Sequence, residues 1–517
     1  MEENVADSLA EPLISSPETP SPQPPPSDDT AVTQSEPNAA ESSDSLPSDS
    51  LERQGTISSA CFNMWSTMVG GGCLSLPLAF AKSGNVLGGP ILLWTTAAIT
   101  RTCFRYLIDG SRWSNQKSYE GIATVAFGGR AYHVCAVLVT LMCFFGIVGY
   151  AVLLRDMLQP ITDHLFQHNS ENWPHRNALM FLIVFLVTPL CTLKTLTALE
   201  KFGALSMGSI VALGLCVVFR SSQCLLHSRD SSAPGSSGFQ LLPHSWNDVL
   251  DVIPLFISCY VCHYNIPAVQ AELKDPSPSR VSQWLTITVM GSTAFYTILG
   301  FSGSLYALRC HGGAVDGNIL LDFPEDDPLV LVGRLCLAVT ITLAFPMLTI
   351  PARDIVIRSL HRGDEVVAVA DTSDDDEDDD AGLDEPFLER ESNAIGVTAT
   401  PATPDEENAV ASAAEAGAQH PSLVIRLSAS LAIFWTGATL ASCVSSIDVV
   451  WDLLGSSLSI LLSFLIPFGS YIQLSRDQAD ASLFDTVISG LMLLFFTPLM
   501  FVSTANAVYH TFLQHTS

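Results

Sequence analysis

The sequence predicts an all-α polytopic membrane protein, and three observations carry that prediction. Hydrophobic residues make up 48% of the 517 and charged residues 15%, too few charges to coat the soluble domains that such a length would otherwise hold. Mean hydropathy is +0.35, and the apolar residues gather in runs long enough to cross about 30 Å of hydrocarbon. Two of those runs are interrupted by glycine, proline and polar residues, a pattern that packing alone does not require.

The net charge of −29 belongs to appendages. Residues 1–54 carry twelve acids and one base, residues 361–421 carry eighteen acids and two bases, and the remaining chain is close to neutral. Both acidic stretches are rich in Pro, Ser, Asp and Glu and are expected to be disordered, because they cannot bury enough apolar surface to offset the entropy of ordering. Their sign disfavours nucleic acid or an anionic lipid surface as a partner.

Apolar runs near 56–82, 86–108, 131–158, 177–192, 202–220, 247–270, 282–307, 329–350, 423–446, 450–473 and 484–507 give eleven expected transmembrane helices. The bases test this count, because Lys and Arg gather on the cytoplasmic side of short loops. With a cytosolic N-terminus, sixteen of the 23 bases fall inside and seven, including Lys82, Arg155 and Arg334, fall outside. The first span directs insertion, since the N-terminus lacks the pattern of a cleaved signal peptide. The fourth span is the weakest, being short and ending at Pro189.

The first span contains Gly70, Gly71 and Gly72 followed by Pro77; three consecutive glycines in a helix interior cost about 1 kcal/mol each. The sixth contains Pro254, then Cys259 to Ile266 and Pro267, where polar side chains collect and a proline removes a backbone bond. Spans one and six lie five apart, so the breaks occupy corresponding positions of two five-helix halves. This points to an inverted-repeat transporter with its site at mid-membrane. The alternatives are close helix packing at the glycines and an ordinary kink at the prolines.

These residues resemble the amino acid/auxin permease family, in particular its sodium-coupled neutral and vacuolar amino acid transporters. The resemblance rests on Phe62 and Asn63 through Pro77, on Cys262 and His263 with Glu272 and Leu273, and on Arg334, Phe345, Pro346 and Pro351 to Arg353. Gly146 to Tyr150 and Leu454 to Ser457 through Pro467 add to it. It implies a LeuT-like fold: a 5+5 inverted repeat plus one extra helix, transporting amino acids with a co-transported proton or sodium ion and no resident cofactor. The organisation is then a tail at 1–54, repeat 1 at 55–220, an outer or lumenal loop at 221–246, and the start of repeat 2 at 247–360. An acidic loop at 361–421, the rest of repeat 2 at 422–475 and the last helix with an outer C-terminus at 476–517 complete it.

In such a site the unwound backbone at Thr67, Val69, Gly70, Gly71 and Gly72 offers peptide groups, and the half-helix N-terminus a partial positive charge, to a substrate carboxylate. Tyr260, Cys262 and His263 are the expected lining from span six. The coupling cation needs oxygens from spans one and eight, which makes Ser66, Thr67, Thr340 and Thr342 the candidates. Sodium-coupled relatives carry asparagine where Ser66 stands, which tilts the expectation toward protons. His263 is either a proton carrier, since its ordinary pKa lies near neutrality, or a neutral, hydrogen-bonded prop for the unwound segment.

Cys259 and Cys262 lack a second ligand pair for zinc, so core packing is expected there and no metal site. Cys224 and Cys310 both fall in outer loops, where oxidation is permitted, and a disulfide between them is a candidate. Thr372 and Ser373 beside an acidic run, and Thr400 and Thr403 before prolines, resemble phosphorylation sites on a solvated linker. Glu11 to Ile14 resembles an acidic dileucine sorting signal, which hints at a vacuolar or lysosomal membrane. A channel would show symmetric pore-lining charges, and the spans hold few charges; an enzyme would show a nucleophile and base or a metal cluster within the spans, and no such spacing occurs there. The other reading is a transporter-like amino acid sensor signalling through its N-terminal tail.

Overall fold

The computed structural model describes residues 55–166, 173–193, 200–227, 238–311, 315–371, 423–444, 450–451, 454–479 and 481–509. The tail at 1–54, the dileucine-like stretch and the four candidate phosphorylation sites lie outside them. Among the described residues the chain is all-helical, with no strand. Eight helices among the described residues are long and apolar enough to cross a membrane, and a ninth if the first two, bent by 59°, form one span.

α1 (Ile57–Met68) starts at Thr56, whose hydroxyl accepts the Ser59 amide at 3.1 Å, satisfying one of the orphan donors of a helix start. After a 3-10 turn at Gly71–Ser75, α2 (Leu76–Ser83) begins with Pro77 in its first turn, where a missing amide proton does no harm. α3 (Gly88–Ser114) follows and is closed by Asn115 in the left-handed region, φ 52°. It falls short as an apolar span because Arg101 and Arg105 interrupt it. α4 (Tyr119–Phe127), a short helix capped by Ser118, was not expected.

α5 (Gly129–Phe166) carries Pro160 and runs past its expected end, while α6 (Trp173–Cys191) is apolar only over Asn177–Cys191. α7 (Glu200–His227) leads to α8 (Trp246–Ser258), which opens on a reciprocal capping box between Ser245 and Asp248 and so fixes where the sixth span begins. A 3-10 turn at His263–Asn265 separates α8 from α9 (Ile266–Glu272). α10 (Pro278–Cys310) and α11 (Pro328–Asp371) come next. α11 is helical to Asp371, so its helical bonding continues past the membrane-length apolar run and into the first residues of the acidic loop.

α12 (Leu423–Cys443) precedes the expected tenth span, which is not a regular helix. It winds as π-helical turns at Leu454–Ser459 and Leu461–Leu465 before α13 (Ile466–Leu474). Such wide turns concentrate at functional positions. α14 (Leu483–Val508) is last.

Buried polar contacts tie the helices. Glu120 of α4, 3% exposed, pairs with Arg358 of α11 at 2.6 Å. Arg358 itself is 50% exposed, so its loss should fall between the roughly 1 kcal/mol of a surface pair and the roughly 3–5 kcal/mol of a buried one. Arg358→Ala is expected to lower the melting temperature, with Glu120→Gln in the same chain recovering part of the loss, because the stranded carboxylate is then neutral. Equal melting of wild type and Arg358→Ala would refute this.

Before α11, His311, Asp316 and Asp322 gather within 4.8 Å of one another. Asp322 is fully buried, accepts the Asp316 amide at 3.2 Å and lies 3.9 Å from His311. Burial first, and the Asp316 charge after it, push its carboxyl up to about 6. A carboxyl raised in the folded state binds its proton more tightly there, so folding gains as pH falls from above 6 toward the unfolded value of about 4. Asp322→Asn is expected to raise the melting temperature at pH 7.5 and to flatten the gain that wild type shows at pH 5. A wild type whose gain on acidification is matched by the variant would contradict it.

Candidate functional site

The two breaks face each other. In the first, the α-helical ladder ends at Val69, whose amide donates to the Trp65 carbonyl at 2.8 Å; the Gly70 amide then turns back to Met68, and Cys73 bonds Gly70 in a 3-10 turn. Gly70 is extended, φ −124° and ψ −150°. A Cβ at Gly70 would lie 1.9 Å from the Tyr150 hydroxyl on α5, whereas one at Gly72 would meet the Ser258 hydroxyl at 3.7 Å, an ordinary contact. Glycine is therefore demanded at 70 by close approach and at 72 only if something else must come near.

In the second break, Tyr260 and Val261 donate back to Ile257 and Ser258, Cys262 leaves the helical region, and Asn265 donates to Cys262. Two contacts join the breaks: the Cys259 thiol to the Gly72 carbonyl at 3.6 Å, and the Asn265 side-chain amide to the Thr67 hydroxyl at 3.4 Å. Thr67 also donates to the Asn63 carbonyl at 3.1 Å. Tyr296 of α10 donates to the Cys259 carbonyl at 2.9 Å, holding one freed carbonyl in place.

The expected span-six lining residues are all buried but do not share one direction. The Tyr260 hydroxyl pairs with Thr293 on α10 at 2.8 Å. His263 lies against Phe104 at 4.6 Å and Phe464 at 6.0 Å, ring centre to ring centre. Neither of its ring nitrogens has a hydrogen-bond partner among the described residues. The hydrogen-bonded prop is thereby corrected: the histidine packs on two phenylalanine rings and makes no hydrogen bond among the described residues. Cys262 is fully buried.

Of the coupling candidates, the Ser66 hydroxyl is buried with no hydrogen-bond partner among the described residues, as is the Asn63 side-chain oxygen one turn earlier. Thr340 turns to the Ser206 carbonyl on α7 at 3.3 Å, and Thr342 back to Ala338 at 2.6 Å. No hydrogen bond among those described ties either threonine to Ser66 or Thr67. The reading from sequence missed Asn63, Asn265, Tyr150 and Tyr296. Asn63 and Ser66, three apart on one helix face, carried the available signal; the others are joined only by folding.

A cavity of about 260 Å³ opens beside the breaks toward the end of the bundle where α2 finishes, lined by Ser75, Lys82, Asp251, Trp451, Ser456 and Asn506 among others. At this Lys82 end, Lys82 reaches Asp251 at 3.5 Å and Asn506 of α14 donates to the same carboxylate at 2.7 Å. At the opposite, Gly55 end, the start of the first broken span is stitched to the finish of the second. The Gly55 amide donates to Glu272 at 2.8 Å and the Lys274 amide to Gly55 at 2.9 Å. Cys224 and Cys310 are joined in a disulfide, Cα atoms 6.5 Å apart. They sit at the last turns of α7 and α10 rather than in loops, so their spacing is set by two packed helices.

The chain has relatives among known proteins. Residues 53–512 match the family described as transmembrane amino acid transporter protein. Vacuolar amino acid transporter 2 of Saccharomyces cerevisiae is 22% identical over 62% of this chain, and the chain spans 66% of that protein's length. A putative sodium-coupled neutral amino acid transporter of Danio rerio is 25% identical over 60% of this chain and 67% of its own. An amino acid transporter of Arabidopsis thaliana is 21% identical over 88% of this chain and 83% of its own. Among solved structures, MhsT in complex with L-phenylalanine superposes with a TM-score of 0.53 at 11% identity, covering 88% of this chain and 99% of that one. The last likeness is one of fold, and the fold is LeuT-like.

Proposed function

Because the chain belongs to the transmembrane amino acid transporter protein family, a family of transporters and not of enzymes, we propose that it is a secondary active transporter that moves neutral amino acids by alternating access. The observation that carries this reading is the meeting of two unwound segments, with Gly72 against Cys259 and Thr67 against Asn265. Where half-helices meet, the N-terminal side of α2 offers partial positive charge to a carboxylate and the C-terminal carbonyls of α1 and α8 offer partial negative charge to an ammonium. A zwitterion matches that pairing, with Gly70, Gly71 and Gly72 as its carboxylate seat and Tyr260, Cys262 and His263 holding the second broken segment beside it.

The buried oxygens of Asn63 and Ser66, without a partner among the described residues, support a cation seat on α1, because an oxygen buried without a partner is costly unless something binds it. A sodium ion would be coupled there; neither side chain titrates near neutral pH, so a coupled proton would have to ride on another group. Eleven crossings follow if α3 and α6 also span, as their lengths permit. The distribution of bases then puts the Gly55 end in the cytosol and the Lys82 end outside or in a lumen. The yeast relative's name favours a vacuolar membrane.

The test is uptake of a panel of radiolabelled amino acids into proteoliposomes holding the full chain, with proton and sodium gradients imposed separately. Accumulation against a gradient under one of them is expected; equal, non-accumulating entry under both would sink coupled transport.

A further inference from the structure

α5 and α11 carry the same dipeptide, Arg155-Asp156 and Arg353-Asp354, and both arginines are almost fully buried, 2% and 1% exposed. Each uses the same atoms in the same way. Nε donates to the aspartate that follows, at 3.1 Å for Arg155 and 2.7 Å for Arg353. Nη1 donates to carbonyls at the finish of another helix: Arg155 to Val444 at 2.9 Å and Ala441 at 3.3 Å, where α12 ends, and Arg353 to Leu193 at 2.7 Å, where α6 ends. The last carbonyls of a helix lack partners and carry partial negative charge, so a buried guanidinium suits them.

The arrangement is reciprocal. If α5 and α11 are third and eighth spans, and α6 and α12 fourth and ninth, then the third span holds the end of the ninth and the eighth holds the end of the fourth. The four helices each pack against the other three. Between the α5–α6 connection and Leu193 lie the 19 residues of α6, about 28 Å of helix, which places the Arg353 contact at the Gly55 end and the Arg155 contact toward the Lys82 end.

We propose that the two Arg-Asp pairs are one clamp used twice, each a positioning element that closes the α5, α6, α11 and α12 frame at its own face and so sets the balance between states open to the two faces. The consequence for facing rests on the transport reading above; the clamp itself does not. Loosening one face favours the state open there, and a larger competent fraction lowers the apparent KM at that face.

Arg155→Met and Arg353→Met are measured in oriented membrane vesicles of both senses. Arg155→Met is expected to lower apparent KM at the Lys82 face and raise it at the Gly55 face, each by about threefold or more, and Arg353→Met to do the reverse. Arg155→Lys and Arg353→Lys, which keep the charge but not the planar fork, should fall between, and they carry the same reading if the methionine variants do not fold. Shifts of the same sense in both variants, or none, overturn the proposal. If wild type carries no amino acid at all, the transport reading falls. The clamp is then judged by melting temperature, which the arginine variants must lower, and variants that melt with wild type overturn it.

Discussion

Gly70→Ala is expected to reduce uptake at least a hundredfold and to lower the melting temperature, whereas Gly72→Ala is expected to melt within about a degree of wild type while raising KM tenfold or more. The difference follows from what each Cβ would meet. At Gly70 it would lie 1.9 Å from the Tyr150 hydroxyl and 2.8 Å from the ring carbon behind it, so α1 and α5 must separate, an overpacking that typically costs 1–3 kcal/mol and pulls the first break out of line. At Gly72 nothing is nearer than Ser258 at 3.7 Å, so the fold accepts the methyl group and only an approaching carboxylate would not. A tenfold rise in KM corresponds to about 1.4 kcal/mol. Uptake and melting measured on both variants separate the two roles. Wild-type KM in Gly72→Ala would remove the backbone at 72 from the substrate seat, and wild-type melting of Gly70→Ala would deny the close approach.

The second large effect concerns stability. Cys224→Ser, Cys310→Ser or reductant is expected to lower the melting temperature in detergent, because the bond closes a loop across 86 positions of sequence. Chain entropy alone sets an upper figure of about 4–5 kcal/mol for such a loop; about 2–4 kcal/mol is the usual yield, since α7 and α10 already restrict the ends. The nonreduced protein should resist alkylation at both thiols. Labelling of Cys224 and Cys310 without reductant, or melting that reductant does not move, would refute the bond.

Much of the architecture was legible along the chain because lipid imposes a simple demand: every backbone polar group must be bonded within its own helix, so a span announces itself as an apolar run of fixed length. The same demand made the glycine run and the prolines around His263 legible as exceptions. α3 and α6 were harder, since Arg101 and Arg105 in the one and shortness in the other blur the apolar signal. α4 and the π-helical turns at Leu454–Leu465 were not legible, because a short buried helix and a widened turn use the same residue types as a regular one.

The multi-pass helical character, the breaks in helices one and six and the excess of negative charge at 1–54 and 361–421 are local properties of composition and spacing, and the chain alone discloses them. Which polar groups meet is settled by packing in three dimensions. Asn265 with Thr67, Tyr150 over Gly70, Thr340 toward α7, and His263 among rings rather than hydrogen-bond partners are pairings across tens to hundreds of residues. A helix side chain's direction is set by packing with its neighbours, and no local pattern records which neighbour that will be.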